Sequence, residues 1–126
     1  VNDNNNEAQI AAKKIGGNLA KVDMKLLKDE KAHNHWMTIQ KELKTSADAI
    51  ENSSEIVTQR GHFKHLSAHR ISSIQLFGIN QKMYSEICPM ADNNKGAYWL
   101  SLEKEIRNPY YGEAMLKCGE VKATLE

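Results

Sequence analysis

The sequence predicts a mainly α-helical protein, an antiparallel bundle of three to four helices followed by an irregular C-terminal cap. Three stretches of roughly 20 residues repeat apolar side chains at steps of three and four, the period of an amphipathic helix. Short connections rich in Asn, Asp and Ser separate them, which favours antiparallel neighbours. A chain of 126 residues fits one domain, 1–126, with the bundle over 7–78 and the cap over 79–122.

The first helix is predicted to begin after an asparagine-rich run. Residues 2–6 are cap and turn formers, and Glu7 suits the positive end of a helix. The apolar stripe then comprises Ala8, Ala11, Ala12, Ile15, Leu19, Val22 and Leu26. Gly16 and Gly17 interrupt this stripe, and each glycine inside a helix lowers the stability of that helix by about 1 kcal/mol relative to alanine. The pair marks either close helix packing or a weak point.

The second and third helices show the same period. Asp29 is predicted to cap the second helix, residues 52–54 end it, and Gly78 ends the third. The second stripe comprises Ala32, Trp36, Ile39, Leu43, Ala47 and Ile50. The third comprises Ile56, Arg60, Phe63, Leu66 or Ser67, Ile71, Ile74 and Phe77.

The pattern changes after Gly78. Residues 82–88 alternate loosely, as a short extended segment does, and Pro89 cannot continue a central strand. Residues 92–96 have the composition of a turn, and residues 97–100 form a second short apolar segment. The sequence therefore predicts a short β-hairpin inside the cap.

The end of the chain carries a further turn and little regular structure. Residues 108–112 read Asn-Pro-Tyr-Tyr-Gly, and proline pushes the residue before it toward extended geometry. Residues 113–117 are at most one helical turn. Residues 123–126 follow these features, and we do not expect them to contribute to function.

Composition argues against several kinds of partner. The chain has 17 Lys and Arg against 16 Asp and Glu, so its net charge of +1 provides no field that would recruit nucleic acid. No apolar run approaches the roughly 18 residues of a membrane span. Since Val1 is not an initiator methionine, we expect a processed chain whose targeting segment lies outside it.

The sequence gives little support to an enzyme. Cys88 or Cys118 could pair with a histidine as nucleophile and base, but no feature supplies an orienting group or an oxyanion hole. The glycines form neither a dinucleotide-binding nor a Walker pattern. We therefore predict a non-enzymatic protein without catalytic residues.

Two pairs of sulfur residues lie at the ends of the cap: Cys88 with Met90, and Met115 with Cys118. The spacing of the second pair puts both sulfurs on one side of a helical turn. Thiolate and thioether ligands select Cu(I) or Ag(I), or zinc where several thiolates or imidazoles are available. Three alternatives stay open: one soft metal ion on these four sulfurs, a Cys88–Cys118 disulfide, or separate buried thiols.

Histidines form a second, weaker set of candidate ligands. His62, His65 and His69 lie along one side of the third helix, and imidazole suits copper, zinc and nickel. A solvated polar face explains the same spacing, and a pH-sensing role is a third alternative. Met24 and Met37 are predicted to fill the core rather than bind metal, as is Met83.

One long motif resembles a known family. From Cys88 the sequence reads C-P-M-A-D-N-N-K-G-A-Y-W-L-S, then I-R-N-P-Y-Y-G after four residues, and M-L-K-C-G after two more. It resembles the hallmark of a bacterial domain family of unknown function, found in exported proteins and at the C-terminus of copper/silver efflux membrane-fusion proteins. Gln59, Arg60, Phe63, Leu66 and Ser67 are similar to that family's upstream segment.

The resemblance implies a helical domain in the periplasm of a Gram-negative bacterium, associated with copper or silver handling and with an efflux membrane-fusion or pump component as partner. The family's sulfur positions are Cys88, Met90, Met115 and Cys118. Its structural signature corresponds to Tyr98, Trp99, Asn108, Pro109, Tyr110, Tyr111 and Gly112. His65 and His69 are not part of the motif.

The resemblance leaves two further alternatives. The family has an apolar helix before the asparagine-rich turn, so the bundle is completed either by a helix of this protein or by another chain, which makes a homo-oligomer one interpretation. The function is either direct metal binding or a non-catalytic contact surface on an efflux adaptor, closed by a disulfide between Cys88 and Cys118.

Overall fold

The computed structural model describes residues 1–21 and 28–126 and contains three long helices followed by a small sheet. The helices are α1 (Asn5–Leu19), α2 (Glu30–Glu51) and α3 (Ile56–Phe77). The strands are β1 (Met83–Cys88), β2 (Ala97–Ser101) and β3 (Glu120–Leu125). A tight turn (Ala91–Asn94) and a 3-10 turn (Gly112–Met115) lie between the strands. The predicted fold class, a helical bundle with a small hairpin-bearing cap, is confirmed.

The helix ends follow the predicted capping residues. The Asn4 side chain accepts a hydrogen bond from the Glu7 backbone N–H at 3.1 Å and so caps α1. Asp29 accepts hydrogen bonds from two backbone N–H groups at the start of α2. Gly78 ends α3 with a positive φ of 77°. The first stripe was predicted to continue to Val22 and Leu26, but these two residues, like Met24, lie outside the described part of the chain.

The bundle core follows the predicted stripes. Helices α1 and α3 both pack along α2, and the buried core consists of Ala12, Leu19, Ile39, Leu43, Ala47, Ile50 and Leu66. Burying each large aliphatic side chain contributes about 1.5–3 kcal/mol relative to exposure. Met37, predicted to fill the core, is instead exposed.

Gln59 ties the three helices together at one end of the bundle. Its side chain is only 2% exposed, and its amide donates hydrogen bonds to the backbone carbonyls of Asn5 at 3.1 Å and Ser53 at 2.9 Å. Asn5 begins α1, and Ser53 lies in the connection between α2 and α3. One buried amide thus satisfies carbonyls from two other segments.

Helices α1 and α3 leave a gap between them. Two apolar cavities, of about 360 and 470 Å³, lie along this gap and share Ile15, Phe63 and Leu66 in their walls. Pro109 borders the first cavity and Leu100 borders the second, so the C-terminal part of the chain covers the gap from one side. None of the described helices is long and apolar enough to cross a lipid bilayer.

The C-terminal sheet is antiparallel, with β1 in the centre between β2 and β3. Its register places Cys88 opposite Ala97 and Glu86 opposite Trp99. The predicted hairpin of β1 and β2 is confirmed. The third strand was not predicted, and it extends the sheet to Leu125, past the predicted end of the cap at residue 122.

Candidate metal centre

Two sulfur contacts of the cap meet at Cys118. The sulfurs of Cys88 and Cys118 lie 3.7 Å apart, and the Cys118 sulfur lies 3.9 Å from the thioether sulfur of Met90. Cys88 is fully buried at the end of β1, Cys118 is partly exposed, and Met90 is exposed. We call Cys88, Met90 and Cys118 the sulfur triad.

Met115 was predicted as a fourth ligand. The thiol hydrogen-bond contacts between sulfurs of the described residues join Cys118 to Cys88 and to Met90, and Met115 takes part in neither. Met115 instead contributes its backbone carbonyl, which accepts a hydrogen bond from the Cys118 N–H at 3.1 Å. It therefore shapes the turn that carries Cys118.

The two sulfur contacts of Cys118 have the lengths expected when neighbouring sulfurs share a metal ion. A structural metal–sulfur bond is about 2.3 Å long, so sulfurs bound to one ion at trigonal or tetrahedral angles lie roughly 3.8–4.0 Å apart. The two distances of 3.7 and 3.9 Å agree with this expectation. Two cysteine sulfurs and one methionine sulfur also form a soft ligand set, which favours Cu(I) or Ag(I).

The two cysteines are not bonded to each other in the structure. Their separation of 3.7 Å is well beyond the S–S bond length of about 2.05 Å. The hydrogen bond with Cys88, together with burial, raises the pKa of the Cys118 thiol. Cys118 is therefore protonated at neutral pH, and a metal ion that binds it must displace this proton.

Asn108 holds the segment that carries Cys118. This side chain is 0% exposed, and its amide donates a hydrogen bond to the Cys118 carbonyl at 2.7 Å. Its side-chain oxygen accepts hydrogen bonds from the backbone N–H groups of Tyr110 at 2.8 Å and Tyr111 at 3.1 Å. One buried amide therefore connects the Asn-Pro-Tyr-Tyr-Gly turn to the second cysteine.

The two tyrosines of this turn connect it to the other side of the cap. The Tyr111 hydroxyl donates a hydrogen bond to the Met90 carbonyl at 2.8 Å, and the Tyr110 hydroxyl donates one to the Tyr98 carbonyl. The Tyr110 ring packs 5.6 Å from the Phe63 ring, and burial raises the pKa of its hydroxyl. The turn thus supports Cys118 at one end and Met90 at the other.

Two glycines of the motif, Gly112 and Gly119, lie where a side chain would not fit. Gly112 has a φ of 57°, and a Cβ atom there would fall on the Asp3 carboxylate and the Arg60 guanidinium. Gly119 has a φ of 142°, and a Cβ atom there would lie 2.8 Å from the Ile87 carbonyl oxygen. Arg60 also donates a hydrogen bond to the Pro109 carbonyl at 2.8 Å, which fastens the turn to α3.

A left-handed turn follows Met90. Asp92, Asn93 and Asn94 have φ angles of 55°, 54° and 67°, a run that L-residues other than Asn and Asp rarely adopt. An ion pair with Lys64 of α3 holds Asp92 and lowers the pKa of its carboxyl group. The predicted turn at residues 92–96 therefore has an unusual and externally braced backbone.

The histidines do not assemble into a second site. His62, His65 and His69 lie on α3 as predicted, but the described ranges contain no group of three His, Cys, Asp or Glu side chains that could hold a metal ion. His69 instead lies 3.7 Å from the Glu42 carboxylate of α2.

Sequence reasoning did not single out Glu86, which is buried beside the sulfur triad. It lies two residues before Cys88 on the same face of β1, opposite Trp99, and it is 0% exposed. Neither carboxyl oxygen has a hydrogen-bond partner among the described residues. Burial raises the pKa of Glu86, and the neighbouring Trp99 side chain opposes this effect more weakly. The loose alternation of residues 82–88 was the only sequence signal for its burial.

Replacing Glu86 with Gln is expected to flatten the pH dependence of stability. In the folded protein the carboxyl stays protonated to higher pH than in the unfolded chain, where Glu titrates near pH 4.3. The wild-type free energy of unfolding therefore falls as pH rises from that value toward the folded pKa, and Gln removes this fall. Urea unfolding between about pH 4 and pH 8 measures it. Glu103→Gln, at an exposed position of the cap, is the control, and equal slopes in wild type and Glu86→Gln would contradict the account.

The comparisons with known proteins concern the helical part of the chain. A family model described as "Protein of unknown function (DUF3347)" matches residues 1–82. This match covers the three helices and stops before the sulfur triad. No curated protein and no solved structure matches the chain. The chain therefore belongs to the DUF3347 family of proteins of unknown function.

Proposed function

We propose that this protein is a non-enzymatic, periplasmic metal-handling domain that binds one Cu(I) or Ag(I) ion through the sulfur triad. The observation that carries the proposal is the contact of the Cys118 sulfur with both the Cys88 sulfur, at 3.7 Å, and the Met90 sulfur, at 3.9 Å. The three residues come from the end of β1, the following turn and the segment before β3. A site assembled from such distant positions needs the whole cap to be folded.

The ligand types favour a monovalent soft ion. Two thiolates neutralise the ion and leave one negative charge, and a neutral thioether adds a third bond without adding charge. Zinc prefers four ligands from Cys, His and carboxylate groups, whereas the triad has two such ligands and one thioether. We therefore expect the sulfur triad to bind Cu(I) and Ag(I) more tightly than zinc.

The cellular setting in this proposal rests on the resemblance of the motif from Cys88 to Gly119. That resemblance supports a periplasmic location and an efflux membrane-fusion or pump component as partner. Free thiols oxidise in that compartment unless something protects them, and a bound metal ion supplies such protection. We propose no nucleic-acid partner, because the net charge is only +1.

In a second candidate function, the same cap binds no metal and serves as a contact surface for another protein. The two cysteine sulfurs, 3.7 Å apart, need only a small movement to form a disulfide, which would close the cap over Asn108 and Trp99. In that case the protein would be an interaction domain of an efflux adaptor. The oxidation state of Cys88 and Cys118 in the purified protein separates the two functions.

An anaerobic titration of the reduced protein with Cu(I), followed by native mass spectrometry, tests the metal-binding function. We expect one ion per chain, release of thiol protons on binding, and loss of both reactive thiols in the loaded protein. Zn(II) is the matched comparison and should bind more weakly. A reduced protein that takes up no Cu(I) would contradict the proposal, and a mass loss of two hydrogens in protein purified without reductant would favour the disulfide-closed alternative.

A further inference from the structure

We propose that Met90 is the exchange ligand of the metal site: the ion enters and leaves on the Met90 side, where a partner's cysteine thiolate replaces the thioether. This inference rests on the proposed function and adds the route and the chemical class of the partner. It follows from the exposure, the anchoring and the charge surroundings of the three sulfurs.

The three sulfur residues differ in their access to solvent. Cys88 is 0% exposed, Cys118 is partly exposed and Met90 is 46% exposed. Cys88 lies at the end of a central strand, where the ladder with β2 fixes it opposite Ala97. An incoming ligand can therefore reach the ion from the Met90 side without opening the sheet.

The backbone of Met90 is held while its side chain extends toward solvent. The Met90 carbonyl accepts hydrogen bonds from the Tyr111 hydroxyl at 2.8 Å and from the Asn94 N–H at 3.2 Å. The left-handed run that follows, braced by Lys64, keeps this carbonyl in place. Methionine has an unbranched, flexible side chain, so the sulfur can swing away from the ion without any movement of the backbone.

The relative strength of the metal–sulfur bonds also identifies Met90 as the ligand that is exchanged. A thioether is neutral and binds a soft cation more weakly than a thiolate does, so Met90 is the first of the three ligands to be displaced. In the exchange the bond between the ion and the Met90 sulfur breaks and a bond to the incoming thiolate forms. No electron is transferred, and if the partner arrives as a thiol its proton goes to solvent.

The charges around Met90 permit the approach of an anionic partner group. Lys64 pairs with Asp92 in the turn after Met90, and Lys95 lies close enough to act electrostatically on the same carboxylate. These side chains therefore carry one more positive than negative charge. This excess offsets the one negative charge that two thiolates leave on the loaded site, so the surroundings of Met90 do not repel an incoming cysteine thiolate.

Nuclear magnetic resonance of protein labelled with carbon-13 in its methionine methyl groups tests this inference. The chain has five methionines, and Met90→Leu and Met115→Leu spectra assign the two signals that matter. One equivalent of Ag(I) is added to reduced wild-type protein, followed by increasing glutathione, a cysteine-containing peptide that serves as the probe. Native mass spectrometry of each sample reports whether silver is still on the protein.

We expect the Met90 methyl signal to shift with silver and then to return to its metal-free position while silver and glutathione are both on the protein. The Met115 signal should stay in place throughout. Three results would overturn the inference: a Met90 signal that returns only as silver leaves, a Met90 signal that never shifts although silver is bound, or a shift at Met115 instead. If no silver binds at all, the proposed function fails together with this inference.

Discussion

Replacing Asn108 with Ala is expected to lower the free energy of unfolding by about 3 kcal/mol. The side chain is fully buried and makes hydrogen bonds to the Cys118 carbonyl and to the N–H groups of Tyr110 and Tyr111. Alanine leaves these backbone groups without their partner, and each buried unsatisfied group costs about 1–3 kcal/mol. Urea unfolding followed by circular dichroism measures the change.

Asn34→Ala is the matched control for this change, since Asn34 is exposed on helix α2. Its effect should stay within about 0.5 kcal/mol of zero, because alanine is the better helix former. Asn108→Ala should also weaken Cu(I) binding by about 10- to 100-fold, as loss of a residue that orients a ligand usually does. An Asn108 variant as stable as the Asn34 variant would contradict the role given to this side chain.

Replacing Cys118 with Ser is expected to lower the affinity for Cu(I) by more than about 100-fold, a larger loss than a supporting residue produces. A serine hydroxyl is a hard ligand and does not ionise at neutral pH, so it cannot replace a thiolate on a soft ion. Cys118 is only partly buried, and we expect the variant to stay folded. Competition with a cuprous chelator under anaerobic conditions measures the affinity.

Met115→Leu is the control for the cysteine variant, because Met115 lies in the same cap without joining the sulfur contacts. Its affinity should stay within about twofold of wild type, since Leu and Met differ little in volume. Equal losses of Cu(I) affinity in Cys118→Ser and Met115→Leu would indicate a four-sulfur site that includes Met115. If the Cys118→Ser variant bound one Cu(I) ion per chain with the wild-type affinity, Cys118 would not be a ligand of the ion.

The sequence predicts the helical bundle well because local signals and packing agree there. Asn4, Asp29 and Gly78 mark helix ends by capping chemistry, and the apolar stripes between them become the core. Strand β3 could not be predicted in this way. It is an edge strand exposed along most of its length, so its sequence shows no alternation of buried and exposed residues.

The sulfur contacts of the cap depend on turns that the sequence pattern does not specify. Helical spacing favoured Met115 beside Cys118, and a hydrogen bond from the Cys118 N–H to the Met115 carbonyl does close a turn there, but the sulfur contacts of Cys118 run to Cys88 and Met90. Pro89 suggested an extended segment, but Met90 has turn dihedrals, φ −84° and ψ −16°. This turn brings its sulfur to Cys118, a contact 28 residues apart in the sequence that no local pattern encodes.

X-ray absorption at the copper edge of the Cu(I)-loaded protein tests the central claim most directly. The claim is that Cys88, Met90 and Cys118 together hold one soft ion. It predicts a shell of three sulfur atoms at about 2.3 Å and no imidazole scattering. A shell that contains nitrogen or oxygen atoms, or one with fewer than three sulfurs, would contradict it.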